Sequence, residues 1–254
     1  MKNILITGGA EGIGYGITLE LLNNNFKVIV LDKNQQKLKK IISNKNLVFE
    51  KVDLNKIGNY KAMLSKLIKK YGEIDGLINN VRAGKKLSFE NESIKNWDLT
   101  FNINLKVAFF LAQSFIKMKK ITKHYGKIIN ISSVADELVT SQSPSYHCSK
   151  AAIKMLTKYL AVNCSDNKII VNSISPGFII KDRSKHFFSG SKISKKNKII
   201  SKAHPSKRVG EEKDISKLIL FLLSEHSNFI NGENIKVDGG ISNNENINFL
   251  KNYI

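Results

Sequence analysis

Ser133, Tyr146 and Lys150 are the residues of this 254-residue chain whose types and spacing can move a proton. Tyr146 and Lys150 stand four apart in Tyr146-His147-Cys148-Ser149-Lys150, so on a helix they project from one face. A phenol with a pKa of about 10 is a poor base at neutral pH, but a neighbouring ammonium favours the phenolate and lowers that value. Tyr146 can then exchange a proton with a substrate hydroxyl or carbonyl. Ser133 follows the apolar run Lys127-Ile128-Ile129-Asn130-Ile131 and can donate a hydrogen bond to the same oxygen, stabilising charge there. Taken alone, Tyr-x-x-x-Lys is also a common surface pair.

A second set of residues can hold a nucleotide. Thr7-Gly8-Gly9-Ala10-Glu11-Gly12-Ile13-Gly14 comes directly after Ile4-Leu5-Ile6, which reads as strand, glycine-rich turn and helix start. Glycines let the backbone approach a pyrophosphate, and the N–H groups of a new helix point at its charge. The spacing is Gly-x-x-x-Gly-x-Gly rather than Gly-x-Gly-x-x-Gly. Asp32 closes the run Val28-Ile29-Val30-Leu31 about 20 residues on, where a carboxylate accepts hydrogen bonds from ribose hydroxyls and repels a 2′-phosphate. Asp32 and Glu11 therefore argue for NAD over NADP, against the opposing charge of Lys33. Asp53 can reach an adenine amino group or cap a helix before Ile57. Asn79-Asn80 can tie strand ends together and contact the cofactor.

The elements that must position these groups alternate. Strands are expected at Ile4–Ile6, Val28–Leu31, Leu47–Phe49, Gly76–Ile78, Lys127–Ile131, Ile169–Ile174 and Asn234–Val237. Helical stretches are expected at Tyr60 to Tyr71, Trp97 to Met118 and Ser149 to Asn163. Continuous apolar strands separated by helices imply an α/β fold, a parallel sheet covered on both faces. No repeat or linker divides residues 1–254, so one domain is expected, with a basic excursion or lid at 181–208.

Composition narrows the partners. The net charge of +20 is carried almost entirely by scattered Lys, with Arg only at 82, 183 and 208 and no interleaved aromatics, so specific nucleic-acid binding is not expected. No apolar run approaches 18 residues, and the first strand follows Met1-Lys2-Asn3, so neither a membrane span nor a signal peptide is expected. Cys148 and Cys164 read as free thiols of a cytoplasmic protein, Cys148 as a buried one, and His147 has no triad partner. No metal site is expected.

Together these residues resemble the short-chain dehydrogenase/reductase family. The resemblance runs from the glycine turn to Val237-Asp238-Gly239-Gly240, through Asp53, Asn79-Asn80, Asn104, Ser133, Tyr146, Lys150, Asn172 and Pro176-Gly177. It implies a single-domain, Rossmann-type doubly wound sheet of about seven parallel strands and an Asn104-Ser133-Tyr146-Lys150 tetrad. In that tetrad Tyr is the acid/base, Ser orients the carbonyl, Lys also holds the nicotinamide ribose, and Asn places a relay water. The resemblance also implies cofactor contacts from Gly8, Glu11, Gly12, Ile13, Gly14, Asp32, Asp53, Leu54, Asn80, Pro176, Gly177 and Ile179, with Tyr146 and Lys150. The implied activity is interconversion of a small-molecule alcohol and ketone with NAD, NADP being disfavoured. An NADPH-dependent 3-oxoacyl-carrier-protein reductase and a non-catalytic NAD-binding protein stand as alternatives.

The family pairs its long helices into dimers and tetramers, and Phe109, Phe110, Leu111, Phe115, Ile153, Leu156 and Leu160 supply apolar surface for a homotetramer or homodimer. The tail from Ile241 to Ile254 either frays or packs across a subunit boundary. The chain departs from the family pattern at three places. Asn79-Asn80-Val81-Arg82 replaces Asn-Asn-Ala-Gly, Lys181 stands where a Thr is usual, and Asp136-Glu137 occupies places that are usually small or apolar. Arg82 and Lys181, with Arg183, Lys185 and His186, can converge on an anionic substrate. Alternatively Arg82 pairs with Asp136 or the cofactor pyrophosphate, while the lysines are solvated.

Overall fold

A computed structural model describes residues 2–35, 38–122, 125–164, 166, 168–180 and 194–244 of the protein. In chain order the elements begin β1 (Asn3–Thr7), α1 (Gly12–Asn23), β2 (Lys27–Asp32), β3 (Leu47–Lys51), α2 (Tyr60–Tyr71) and β4 (Gly76–Asn79). They continue with α3 (Ile94–Phe101), α4 (Val107–Thr122), β5 (Gly126–Ile131), α5 (Pro144–Asn163) and β6 (Ile169–Pro176). The last are β7 (Ile179–Ile180), α6 (Lys195–Ala203), β8 (Gly210–Glu211), α7 (Glu212–Leu223) and β9 (Asn234–Val237). Seven strands form one parallel sheet in the order β3-β2-β1-β4-β5-β6-β9. The order reverses between β1 and β4, and in such sheets ligands bind outside the strand ends at that crevice.

The period-2 alternation of side chains divides the strands between two cores. Leu5, Ile29, Leu31, Leu77, Ile128 and Val171 face one side, against Leu64, Leu111, Phe115 and Leu160 of α2, α4 and α5. Ile4, Ile6, Val28, Val30, Ile78, Ile129 and Ile174 face the other, against Ile17 and Leu21 of α1 and Ile215, Ile219 and Leu222 of α7. Every expected strand is present. Helix α2 has the expected bounds, fixed by the Asn59 side chain accepting from Ala62 N at 2.9 Å and by Gly72 (φ 93°) at its end.

The other two helices differ from expectation at their starts. Helix α5 begins earlier, at Pro144, whose ring suits the first helical position and whose missing N–H costs nothing there. Helices α3 and α4 run together through a π-helical turn at Asn102–Lys106. The continuous stretch Ile94–Ile121, of 28 residues, is long and apolar enough to cross a membrane, but 56% of its most apolar window is buried inside the protein, where Leu111 and Phe115 meet the sheet.

Leu111, Phe115, Ile153 and Leu160 are spent in the core rather than on a subunit face. Met155, Tyr159 and Val162 of α5 are exposed, as are Phe110 and Ile121 of α4. Of the basic excursion, residues 194–208 include α6, while 181–193, with Lys181, Arg183, Lys185 and His186, lie outside the described residues. The tail is described only to Asn244, through a short turn at Ile241–Asn243.

Candidate active site

The glycine turn is shaped by steric necessity. Gly8 and Gly12 have φ of 66° and 53°, and a Cβ on Gly14 would lie 2.0 Å from the Gly8 carbonyl oxygen. Glu11 occupies the N-cap of α1 but makes no capping hydrogen bond, and the first turn carries no acidic residue. The leading N–H groups of α1 are therefore left without a side-chain cap, and the backbone beside them is a cradle that any Cβ would fill. That is the donor set a pyrophosphate requires.

Asn80 braces the turn from the neighbouring strand. Its amide donates to the carbonyls of Thr7 (3.1 Å) and Gly8 (2.8 Å), and its own N–H reaches Thr7 Oγ1 at 3.0 Å. Asn79 instead reaches across to Asn130 Oδ1 at 2.9 Å, so both amides tie strand ends together. Asp32 ends β2 with its carboxylate accepting from Ala10 N (3.1 Å) and Asn34 N (3.2 Å), which fixes its orientation beside the turn. A cavity of ≈ 200 Å³ opens there, lined by Asp32, Lys33, Asp53, Leu54, Arg82 and Ile103, among others. Asp53 caps the single turn Leu54–Lys56 through Asn55 N at 3.1 Å, the second of its two expected roles, and it also lines this cavity. At the far end of the sheet, a Cβ on Gly177 would meet the Asp238 Cβ at 2.6 Å, and Ile179 starts β7.

Ser133, Tyr146 and Lys150 come together at the ends of β5 and α5. Lys150 is 3% exposed and donates from Nζ to the Ile131 carbonyl at 2.7 Å, which holds the ammonium 5.7 Å from the centre of the Tyr146 ring. Burial, then the charge of Arg82, lowers its pKa to about 7, with Asp136 opposing. Burial raises Tyr146 above the usual phenol range; the Ser133 hydroxyl and the charge of Arg82 pull it down, and Asp136 adds to the rise. The expected lowering of Tyr146 by Lys150 is thus corrected. A lysine this deeply buried carries only part of its charge at neutral pH, and Arg82 is the cation that acts on the phenol.

Asn104 sits in the π-helical turn, where an inserted residue re-aims the helix at a functional position. It accepts from Ala83 N (2.9 Å) and donates to Ser149 Oγ (3.0 Å), which fastens the loop after β4 to α5. A family model described as enoyl-(acyl carrier protein) reductase matches residues 8–242, the stretch that holds all of these groups. The chain belongs to the short-chain dehydrogenase/reductase family.

Among its relatives is a 3-oxoacyl-[acyl-carrier-protein] reductase of Buchnera aphidicola subsp. Baizongia pistaciae, 33% identical over 94% of this chain and 97% of that protein. Solved short-chain dehydrogenase/reductase structures that resemble it include ElxO with NADP bound (TM-score 0.84, 30% identity, 96% and 99% of the two chains). Another is a 4-hydroxyisoleucine dehydrogenase mutant complexed with NADH and succinate (TM-score 0.86, 29% identity, 96% and 100%).

The departures from the family pattern resolve differently. Arg82 does not pair with Asp136; its guanidinium lies over the Tyr146 ring, 6.0 Å from the centre. Asp136 is consumed inside the protein: one carboxylate oxygen accepts from Ser132 (2.9 Å), Ser175 (2.6 Å) and Asn234 (3.1 Å), joining the ends of β5, β6 and β9. Glu137 pairs with Lys154 and with Lys236. His147 is structural, its Nδ1 donating to the Ser143 carbonyl (2.8 Å) while Nε2 accepts from Thr140 N (2.9 Å). Cys148 is exposed rather than buried, because it lies on the outer side of α5.

Three supporting residues escaped the sequence reading. Thr7 Oγ1 receives Val81 N at 3.2 Å, Ser132 Oγ donates to the Lys150 carbonyl at 3.1 Å, and Ser149 holds Asn104. Nothing in their spacing distinguishes them from ordinary Ser and Thr. Among the described residues, no group of His, Cys, Asp or Glu is placed to hold a metal ion.

Proposed function

We propose that the protein is an NAD(H)-dependent oxidoreductase that interconverts an alcohol and a ketone on a small molecule. The observation that carries this reading is the convergence of Ser133, Tyr146 and Lys150, with Arg82 both lying over the Tyr146 ring and lining the cavity that Asp32 and Asp53 line. The uncapped N-terminus of α1 would hold the pyrophosphate, Asp32 the adenosine ribose, Asp53 and Leu54 the adenine, and the Pro176–Ile179 segment the nicotinamide. When bound, the nicotinamide supplies or accepts the hydride. Tyr146 gives a proton to the substrate oxygen in reduction and takes it in oxidation. Ser133 donates a hydrogen bond to that oxygen, Arg82 supplies the positive charge over the phenol, and Lys150 would hold the nicotinamide ribose. Asn104 positions the relay water.

Asp32 supports NAD, since a second anion beside a fixed carboxylate is strongly disfavoured. The Buchnera relative supports the other reading, an NADPH-dependent 3-oxoacyl-carrier-protein reductase. Assays of both cofactors on alcohols, ketones and a 3-oxoacyl thioester separate the two. NAD is expected to win, and Asp32→Ser is expected to shift the NAD/NADP ratio of kcat/KM towards NADP by about 10–100-fold, that is ~1.4–2.8 kcal/mol. Cofactor binding without turnover on any substrate would leave a binding-only protein.

A carboxylate-bearing substrate is supported by the succinate complex of the 4-hydroxyisoleucine dehydrogenase mutant. Assembly as a homotetramer or homodimer is supported by the exposed stripe Met155, Tyr159 and Val162, at i, i+4 and i+7 on α5. Light scattering would measure it.

A further inference from the structure

Among the described residues, Arg82 is the departure from the family pattern at the cofactor crevice that adds a charge and leaves it without a hydrogen bond or ion pair. It is exposed, and its contact is the face of Tyr146. The acidic side chains around the Tyr146 cleft are held by other partners, Asp136 through one of its two carboxylate oxygens, the other being buried without a hydrogen bond. Asp136 takes Ser132, Ser175 and Asn234, Glu137 takes Lys154 and Lys236, and Glu92 takes Ser145 (Oγ at 2.7 Å) and Asn96.

The backbone that presents Arg82 is held on both sides. Val81 N donates to Thr7 Oγ1, Ala83 N donates to Asn104 Oδ1, and Gly84 (φ 101°) lies so near Thr100 that a Cβ would come within 2.3 Å of its hydroxyl. A planar group with five fixed donors, carried on a braced loop, is pre-organised for a bidentate anion.

Two anions can reach this point, the cofactor pyrophosphate and a carboxylate on the substrate. The first already has the uncapped N–H groups of α1, whereas the Arg82 guanidinium lies over the ring of Tyr146, the residue that meets the reacting oxygen. We propose that Arg82 is a specificity-determining residue that binds a carboxylate lying one to two carbons from the carbon undergoing hydride transfer. The substrate class is therefore a short hydroxy acid and its oxo acid. This rests on the dehydrogenase reading above, and it names the part of the substrate that Tyr146 itself does not read.

The test uses the full-length protein with NADH bound and reads NADH fluorescence during titration with oxalate, malonate and succinate, with succinamide as the neutral control. At least one dicarboxylate is expected to bind. Arg82→Ala is expected to weaken it more than tenfold and Arg82→Lys less, because the lysine keeps the charge but loses the fork. Succinamide binding is expected to change less than twofold, and any loss of NADH affinity is expected to be smaller than the loss of the dicarboxylate, since Arg82 also lines the cavity beside Asp32. The proposal is overturned if no dicarboxylate binds, or if the variants bind it as well as the parent. It is also overturned if Arg82→Ala loses NADH rather than the dicarboxylate, which would give Arg82 to the pyrophosphate. If the unaltered protein does not bind NADH at all, the dehydrogenase reading itself fails, and the Arg82 proposal falls with it.

Discussion

The two sides of the crevice are built on different principles. On the β1–β2 side the surface is made of backbone: Gly8, Gly9 and Gly14 leave no room for side chains, and Asn80 clamps the turn through two carbonyls. On the β5–α5 side it is made of side-chain charge: Lys150 buried and lowered, Tyr146 raised, Arg82 over the ring and the charge of Asp136 opposing it. The first side is set by excluded volume and does not respond to pH. The second is a balance of desolvation against neighbouring charge, and each member can be altered without moving the backbone. The difference teaches where a substrate preference can change cheaply and where cofactor binding cannot.

The comparison breaks most sharply at Tyr146. Tyr146→Phe keeps the ring and its packing but removes the transferable proton, so turnover in either direction is expected to fall about 10²–10⁴-fold. The NADH dissociation constant should stay within about twofold of the parent, and equal losses of turnover and binding would show the two sides to be one unit.

On the glycine side, Gly14→Ala forces the Cβ into the Gly8 carbonyl, and displacement of the turn by about 1 Å is expected to cost on the order of 10²-fold in NADH affinity. Gly58→Ala is the control, since nothing lies within 4 Å of its Cβ. Fluorescence titration of both proteins decides whether the effect is steric.

The smallest expected effect sharpens the charge side. Lys150 titrates at about 7 in the folded protein, against ~10.4 in an unfolded chain. Between those values the unfolded chain holds a proton that the folded protein lacks, so stability declines as pH falls from about 10 to about 7 and then levels off. Lys150→Met removes this dependence. Thermal unfolding is expected to show the variant gaining stability on the parent as the pH falls from ~10 to ~7. A difference that does not vary with pH would mean that the folded protein accommodates the charged lysine without cost.

Much of the fold was legible because its causes are local. Apolar runs such as Val28–Leu31 mark strands buried on both faces, and Asn59 with Gly72 bounds α2 by capping. The π-helical turn at Asn102–Lys106 was not legible, since the residues Asn102-Ile103-Asn104-Leu105 fit an ordinary helix. Nor was the exposure of Cys148, which depends on which face of α5 the sheet covers.

The sequence by itself determined the family, the seven parallel strands and the positions of Ser133, Tyr146 and Lys150, because periodicity, glycine sterics and i, i+4 spacing act over a few residues. Only the tertiary structure decided what the charges do. Asp136 and Arg82, 54 positions apart, read as a natural ion pair, yet folding gave Asp136 to three neutral donors and left Arg82 over Tyr146. Charge–charge energies depend on distance and burial, and neither is set until β4, β5 and α5 are packed.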